Sequence, residues 1–197
     1  KNAEDWNAAK LFGTVSRFLQ DNASREKFFL WVDCFDPHEP WDAPPEFVGM
    51  YGESAIGGKI DPRAFLHAAR NLAHCPDPDE AARRYQQLYA AKVSWMDACF
   101  GKMLDTLEDT GLMKNTAILV TSDHGTNVGE RGIISKSFPV REQEGHVPLM
   151  LYYPGCAPAR RSAFDRPGSW TAAGQGLDER GGEHGQLVGI GGLGQTH

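Results

Sequence analysis

No run of apolar residues in this chain of 197 residues approaches a membrane span, which takes about 20 in succession. No block of Lys or Arg stands out either, and a formal charge of -6 argues against a nucleic-acid surface. The four cysteines (Cys34, Cys75, Cys99 and Cys156) include no Cys-x-x-Cys pair and no zinc-type spacing, so they read as buried thiols, not a disulfide framework. His67, His74 and Cys75 cluster in sequence, but no fourth ligand follows at a spacing that zinc would use. No internal repeat is visible, and no signal-peptide pattern precedes the first helix-like segment. The chain opens on Lys1 and not on Met, which reads as a start cut from something longer. Asn22-Ala23-Ser24 fits a glycosylation acceptor, a tripeptide too common to decide anything. Hydrophobic residues reach 41%, slightly below the usual range, yet ten Phe and five Trp can still fill a core.

What the chain does contain is an order of elements. Residues 3–19 carry Ala8, Leu11, Phe12, Val15, Phe18 and Leu19 at a helical period. Residues 27–33 form a short, nearly continuous apolar run that reads as a buried strand. Four prolines follow between Asp36 and Pro45, forbidding regular ladders and holding a loop. A short helix is predicted over residues 62–72. A long helix starts near Asp79, with Pro78, Asp79 and Glu80 as favourable first-turn residues and Gly111 suited to its stop. Tyr85, Leu88, Lys92, Met96, Cys99, Met103 and Leu107 step by three or four along it, mostly apolar, so one stripe faces a core. Strands are predicted over residues 116–121 and 146–153. Strand, long helix, strand is the pattern of a parallel sheet, so the fold class is α/β, a mainly parallel sheet flanked by helices. After about residue 161 glycines crowd the chain and large apolar residues thin out, which predicts a disordered or non-native tail over 162–197.

The stretch Ala117-Ile118-Leu119-Val120-Thr121-Ser122-Asp123-His124-Gly125 is the most informative. A buried strand ends abruptly in a carboxylate and an imidazole, where α/β proteins bind ligands. Oxygen and nitrogen on a rigid mount can hold a divalent cation. The plain alternative is a turn cap at Asp123 and a surface His124. Two further features stand in order with it. Pro37-His38-Glu39-Pro40-Trp41 follows the first strand, and Lys136 closes a Gly-rich loop that opens at Thr126. Alone, His38 would be a structural hydrogen-bond partner and Lys136 a solvated lysine.

Taken together with Val147-Pro148-Leu149-Met150, this series resembles the sulfatase family of the alkaline-phosphatase superfamily, over roughly residues 8–161. The resemblance implies an alkaline-phosphatase-like fold, incomplete here, with residues 1–161 as a partial catalytic domain. It implies a sulfuric ester hydrolase in which Asp123 and His124 complete a Ca²⁺ site begun by two N-terminal aspartates. Lys136 matches the family lysine that contacts the sulfate, and a compact ammonium suits such oxygens. His38 matches the histidine of the Pro-His-x-Pro loop, placed near the bridging oxygen as a general acid. The implied partner is a small-molecule or glycan sulfate ester. A phosphonate or phosphate monoester hydrolase of the same superfamily stays open, as does a non-catalytic relative that binds sulfated glycans.

The chain also departs from the family pattern. Glu130-Arg131 stands where Glu-His is frequent, so the usual histidine has no counterpart. Glu144 and His146 flank the third strand and read as structural. The family nucleophile, a formylglycine made within Cys/Ser-x-Pro-x-Arg, is expected N-terminal to every element found here. Cys156-Ala157-Pro158-Ala159-Arg160 fits that pattern letter by letter but follows the third strand, so it reads as a turn and not as the nucleophile.

Overall fold

The structure, a computed structural model, describes residues 3–25, 27–52, 72–156 and 186–191. The predicted helix over residues 62–72 and His67 lie almost wholly outside them. Helix α1 (Asn7–Asp21) buries Ala8, Phe12, Val15 and Leu19, the inner stripe of its apolar period. Helix α3 (Pro78–Asp109) starts one turn-residue before the predicted start, because Asp77 accepts a hydrogen bond from the Glu80 amide at 2.9 Å and caps the helix ahead of Pro78. Gly111 takes φ +75° just past its end, a conformation that costs a glycine little.

At 32 residues, α3 is about 48 Å long and serves two cores. Its C-terminal half sets Trp95, Cys99, Met103 and Leu107 against α1 and against Val32 and Ile118 of the sheet. Phe12 and Phe100 meet edge to face, with centroids 5.7 Å apart. Its N-terminal half packs Ala81, Tyr85 and Leu88 against Trp41, Leu72 and Ile134. Loops that carry candidate residues are thus fastened to the same rod as the sheet.

Strands β1 (Phe29–Asp33), β2 (Thr116–Thr121), β5 (Leu149–Tyr152) and β6 (Gln186–Gly191) form one sheet in the order β1-β6-β2-β5. Both β1 and β2 run parallel to β6, with Asp33 level with Gly191 and Val120 level with Ile190. Two expectations need correction. The third strand is antiparallel to β2, pairing Leu149 with Thr121 and Tyr152 with Ile118, and it begins at Leu149, beyond α4 (Glu142–Gly145) and directly after Pro148, which has no amide hydrogen to give a ladder. The Gly-rich tail is not wholly without structure either: Gln186–Gly191 is the strand between β1 and β2. A two-stranded hairpin, β3 (Asn127–Val128) with β4 (Ile134–Ser135), and the short helix α2 (Pro45–Gly49) complete the order.

Burial sorts the thiols unevenly. Cys34 and Cys99 are buried, Cys75 is half-buried, and Cys156 is exposed, a departure from the expectation of four buried thiols. Burial, reinforced by the nearby Asp36 carboxylate, pushes the Cys34 thiol up to about 12.

Candidate functional site

Because β1 and β2 both run parallel to β6, the loops after Asp33 and Thr121 leave from one edge of the sheet. The two strand ends are separated by one strand, about 10 Å at the usual spacing. The first loop carries His38. It is held at both flanks by α3: Lys92 Nζ lies 3.0 Å from Asp36 Oδ1 and 3.2 Å from Asp42 Oδ1. Trp41, fully buried, stands edge-on to Tyr85 and Tyr89. The stretch between Asp36 and Asp42 is therefore pinned before and after the histidine.

His38 itself is tightly oriented. Its Nδ1 lies 2.9 Å from the Glu39 carbonyl oxygen and 3.1 Å from Glu39 Oε2. A carbonyl only accepts, so Nδ1 carries the hydrogen and Nε2 presents its lone pair. Lys136 Nζ donates to that Nε2 at 2.9 Å. The Phe35 ring stacks on the imidazole, with centroids 4.3 Å apart and planes 29° from parallel. Two residues separated by 98 positions meet at one point.

Lys136 reaches this point from the β3–β4 hairpin. Ile134, fully buried, seats the hairpin on the N-terminal core. Gly129, at φ +115°, lies against Ala82 of α3 so closely that a Cβ there would come within 2.7 Å of the Ala82 methyl. Only glycine permits both the conformation and the approach. Arg131, the departure from the family pattern, is exposed at φ 56° on the hairpin turn.

Asp123 and His124 sit in the turn after β2, each side chain about one-third exposed. Asp123 Oδ1 accepts from the His124 amide at 2.9 Å. His124 Nδ1 lies 2.7 Å from the Gly125 carbonyl, which again places the hydrogen on Nδ1 and the lone pair on Nε2. That Nε2 lies 3.5 Å from Asp123 Oδ2, so a nitrogen lone pair and a carboxylate oxygen face each other. A cation, or a second proton on the ring, resolves that opposition, and the carbonyl-oriented imidazole is the arrangement metal ligands use. The pair fits part of a divalent-cation site. Ca²⁺ takes six to eight oxygen-type ligands, and among the described residues no group of three or more His, Cys, Asp or Glu could hold a metal. No direct hydrogen bond or ion pair among the described residues joins Asp123–His124 to His38–Lys136.

Cys156 stands apart from all four. Since β5 runs against β2, its last residue, Tyr152, pairs with Ile118 in the middle of β2, away from the Thr121 end, and the chain continues further from that edge. A turn at Gly155 then brings Cys156 to the surface.

The comparisons decide what these loops belong to. A family model described as Sulfatase matches residues 6–167. The chain belongs to the sulfatase family. It is 33% identical to mouse iduronate 2-sulfatase, an alignment that covers 79% of the chain and 34% of that enzyme. It is 32% identical to choline-sulfatase of Rhizobium meliloti over 70% of the chain and 29% of the relative. Against arylsulfatase of Klebsiella aerogenes it is 24% identical over 64% and 31%. The chain spans about a third of the length of these sulfatases. Membership carries with it the alkaline-phosphatase-like α/β fold.

The structure brings the candidates His38 and Lys136 into contact and sets Asp123 beside His124, and the supports of His38 were not foreseen in the sequence. Phe35 and the Asp36–Lys92–Asp42 cluster had one readable sign: Lys92 is a lysine at a core position of an otherwise apolar stripe.

Proposed function

We propose that the protein containing this chain is a sulfuric ester hydrolase, and that these residues form one flank of its active site. The observation that carries the reading is the hydrogen bond between Lys136 and His38, two side chains on separate loops at the carboxyl edge of the sheet. An ammonium and an imidazole in contact suit an anionic tetrahedral group: Lys136 holds a sulfuryl oxygen, and His38 delivers a proton to the departing oxygen. In the arrangement described, Nε2 accepts from Lys136; His38 acts as the acid in its doubly protonated form, with Lys136 turned to the sulfuryl oxygen and still charged. Asp123 and His124 would hold a Ca²⁺ ion together with ligands from elsewhere in the protein; bound there, the cation polarises the ester and offsets its negative charge. The nucleophile in this reading is a formylglycine located outside this chain, and Cys156 takes no part. The substrate is a small-molecule or glycan sulfate ester. The sheet of the whole domain is mainly parallel, with β5 as an antiparallel member.

The experiment is turnover of an aryl sulfate and an aryl phosphonate by the full-length protein, with and without Ca²⁺. Sulfate hydrolysis that depends on Lys136 and on Asp123 supports the reading, and Asp123→Ala should weaken calcium binding and turnover together. Preference for the phosphonate would reassign the protein within the superfamily. Absence of either activity, with retained affinity for sulfated glycans, would make it a binding protein.

A further inference from the structure

We propose that Glu144 is a positioning residue that locks the lysine loop to the Asp123–His124 turn, so that both halves of the site move as one body. This rests on the hydrolase reading above. Glu144 belongs to the four-residue helix α4 and is 5% exposed. Its Oε1 accepts from Asn127 Nδ2 at 2.6 Å and from the Ser137 hydroxyl at 2.5 Å. Both carboxylate oxygens accept from the Ser137 amide at 3.1 Å. Ser137 follows Lys136 directly. The main chain of Glu144 reaches the other way: its carbonyl accepts from the Gly125 amide at 2.8 Å, and Gly125 follows His124 directly.

One residue thus grips the neighbour of the sulfate-contacting lysine with its side chain and the neighbour of the metal pair with its backbone. The second grip is close. A Cβ at Gly125 would overlap the Gln143 carbonyl oxygen and come within 3.4 Å of Glu144 Cα, so α4 lies directly on a glycine. Asn127 closes the triangle, since its Nδ2 also donates to the Ser135 carbonyl at 2.7 Å, on the residue before Lys136. A carboxylate with its charge taken out of water is costly unless donors converge on it. Here they come from β3 and from the loop after β4. Burial raises the Glu144 carboxyl, but the Ser137 and Asn127 hydrogen bonds outweigh it and hold the group below its ordinary range. The carboxylate, and not the acid, is the form that all these donors require.

A residue that only held the fold would cost activity independently of Lys136. A positioning residue acts through it. The test is a double-mutant cycle in the full-length protein on an aryl sulfate, with Glu144→Gln, Lys136→Ala and the pair. Glu144→Gln alone is expected to lower kcat/KM by about 10- to 100-fold, as loss of an outer hydrogen-bond partner does. In the Lys136→Ala background it should cost less than about 3-fold, since the side chain it positions is gone. Amide exchange supplies a readout free of turnover: Ser137 should exchange at least about 10-fold faster in Glu144→Gln, while β2 and α3 amides keep their protection. Should Glu144→Gln not fold, Ser137→Ala removes one donor and is expected to show the same non-additivity at about 3- to 10-fold. Losses that multiply, or an unchanged Ser137 amide, would overturn the positioning role while leaving the hydrolase reading intact. A wild-type protein without turnover would remove both.

Discussion

Replacing Lys92 with Met should be among the most damaging single changes in this chain, although the stem keeps its length and its packing. The ammonium is 5% exposed and lies 3.0 Å from the Asp36 carboxylate, itself 3% exposed. At that distance, with an effective dielectric of about 20, the Coulomb attraction is about 5 to 6 kcal/mol. Most of it offsets the cost of taking both charges from water, so the pair adds little net stability. Removing one partner is another matter. Asp42 is 41% exposed and can turn to solvent, but Asp36 would be left charged and enclosed. The expected loss is about 3 to 5 kcal/mol, the range for a broken buried pair. Loss of the ammonium from above the Trp6 ring, 5.7 Å away, adds up to about 1 kcal/mol. Urea unfolding of Lys92→Met, Asp36→Asn and the double variant measures this directly. The double variant should recover a large part of the loss, because the stranded charge is gone. A single-variant loss below about 1 kcal/mol, or a double variant no better than the single, would refute the account.

Three other outcomes follow from the same geometry. Thiol labelling of the folded chain at pH 8 should modify Cys156 first and leave Cys34 untouched: with its thiol at about 12, only about one in ten thousand Cys34 groups is thiolate there. Modification of Cys34 at a rate equal to that of Cys156 would show that the loop after β1 opens freely. The Glu144 carboxyl is held below its ordinary 4.5, so its contribution to stability is present above that value and is lost as pH falls further below it. Glu144→Gln should therefore be less stable than wild type at pH 7, with the difference narrowing below pH 4.5; a gap constant with pH would mean that the carboxylate charge is not what the donors bind. In the full-length protein, His38→Ala should slow esters of poor leaving groups by about 10²–10⁴-fold and good ones far less, and an equal loss on both would remove the general-acid role.

The legible parts of the fold are those where burial leaves a mark on composition. Strand β2 was readable from an apolar run stopped by Ser122, and α3 from its stripe and from Gly111. Strand β1 was readable as a strand, but the expectation that it is buried needs correction, since only Val32 is enclosed while Phe29 and Trp31 are exposed. His38, Asp123, His124 and Lys136 stood out as candidates because their motifs come in a fixed order at strand ends. The contact between His38 and Lys136 was not readable, since nothing local encodes a meeting across 98 positions. Strand β6 was missed because Gln186–Gly191 sits among glycines, and its place is marked by backbone pairing on both sides. Lys92 showed only as a lysine within an apolar stripe: its stem packs as an apolar residue does, and the partners of its charge in the loop above were not legible.

The direction of β5 was also unreadable, because an apolar run has the same composition whichever way it points. That direction decides where the site can be. In a parallel arrangement, residues 122–148 would have to carry the chain from the carboxyl edge of the sheet to the opposite one, and the lysine loop would be drawn along with them. With β5 antiparallel, the chain leaves the edge at Thr121 and returns to it at Leu149, opposite its point of departure. Thr121 Oγ1 donates to the Pro148 carbonyl at 2.9 Å and fastens the two ends of the excursion together. Everything between, from Asp123 through the hairpin and Lys136 to Glu144, is then a closed loop standing on the edge where β1 also delivers His38. The strand that departs from the parallel pattern is the one that keeps these residues beside the histidine.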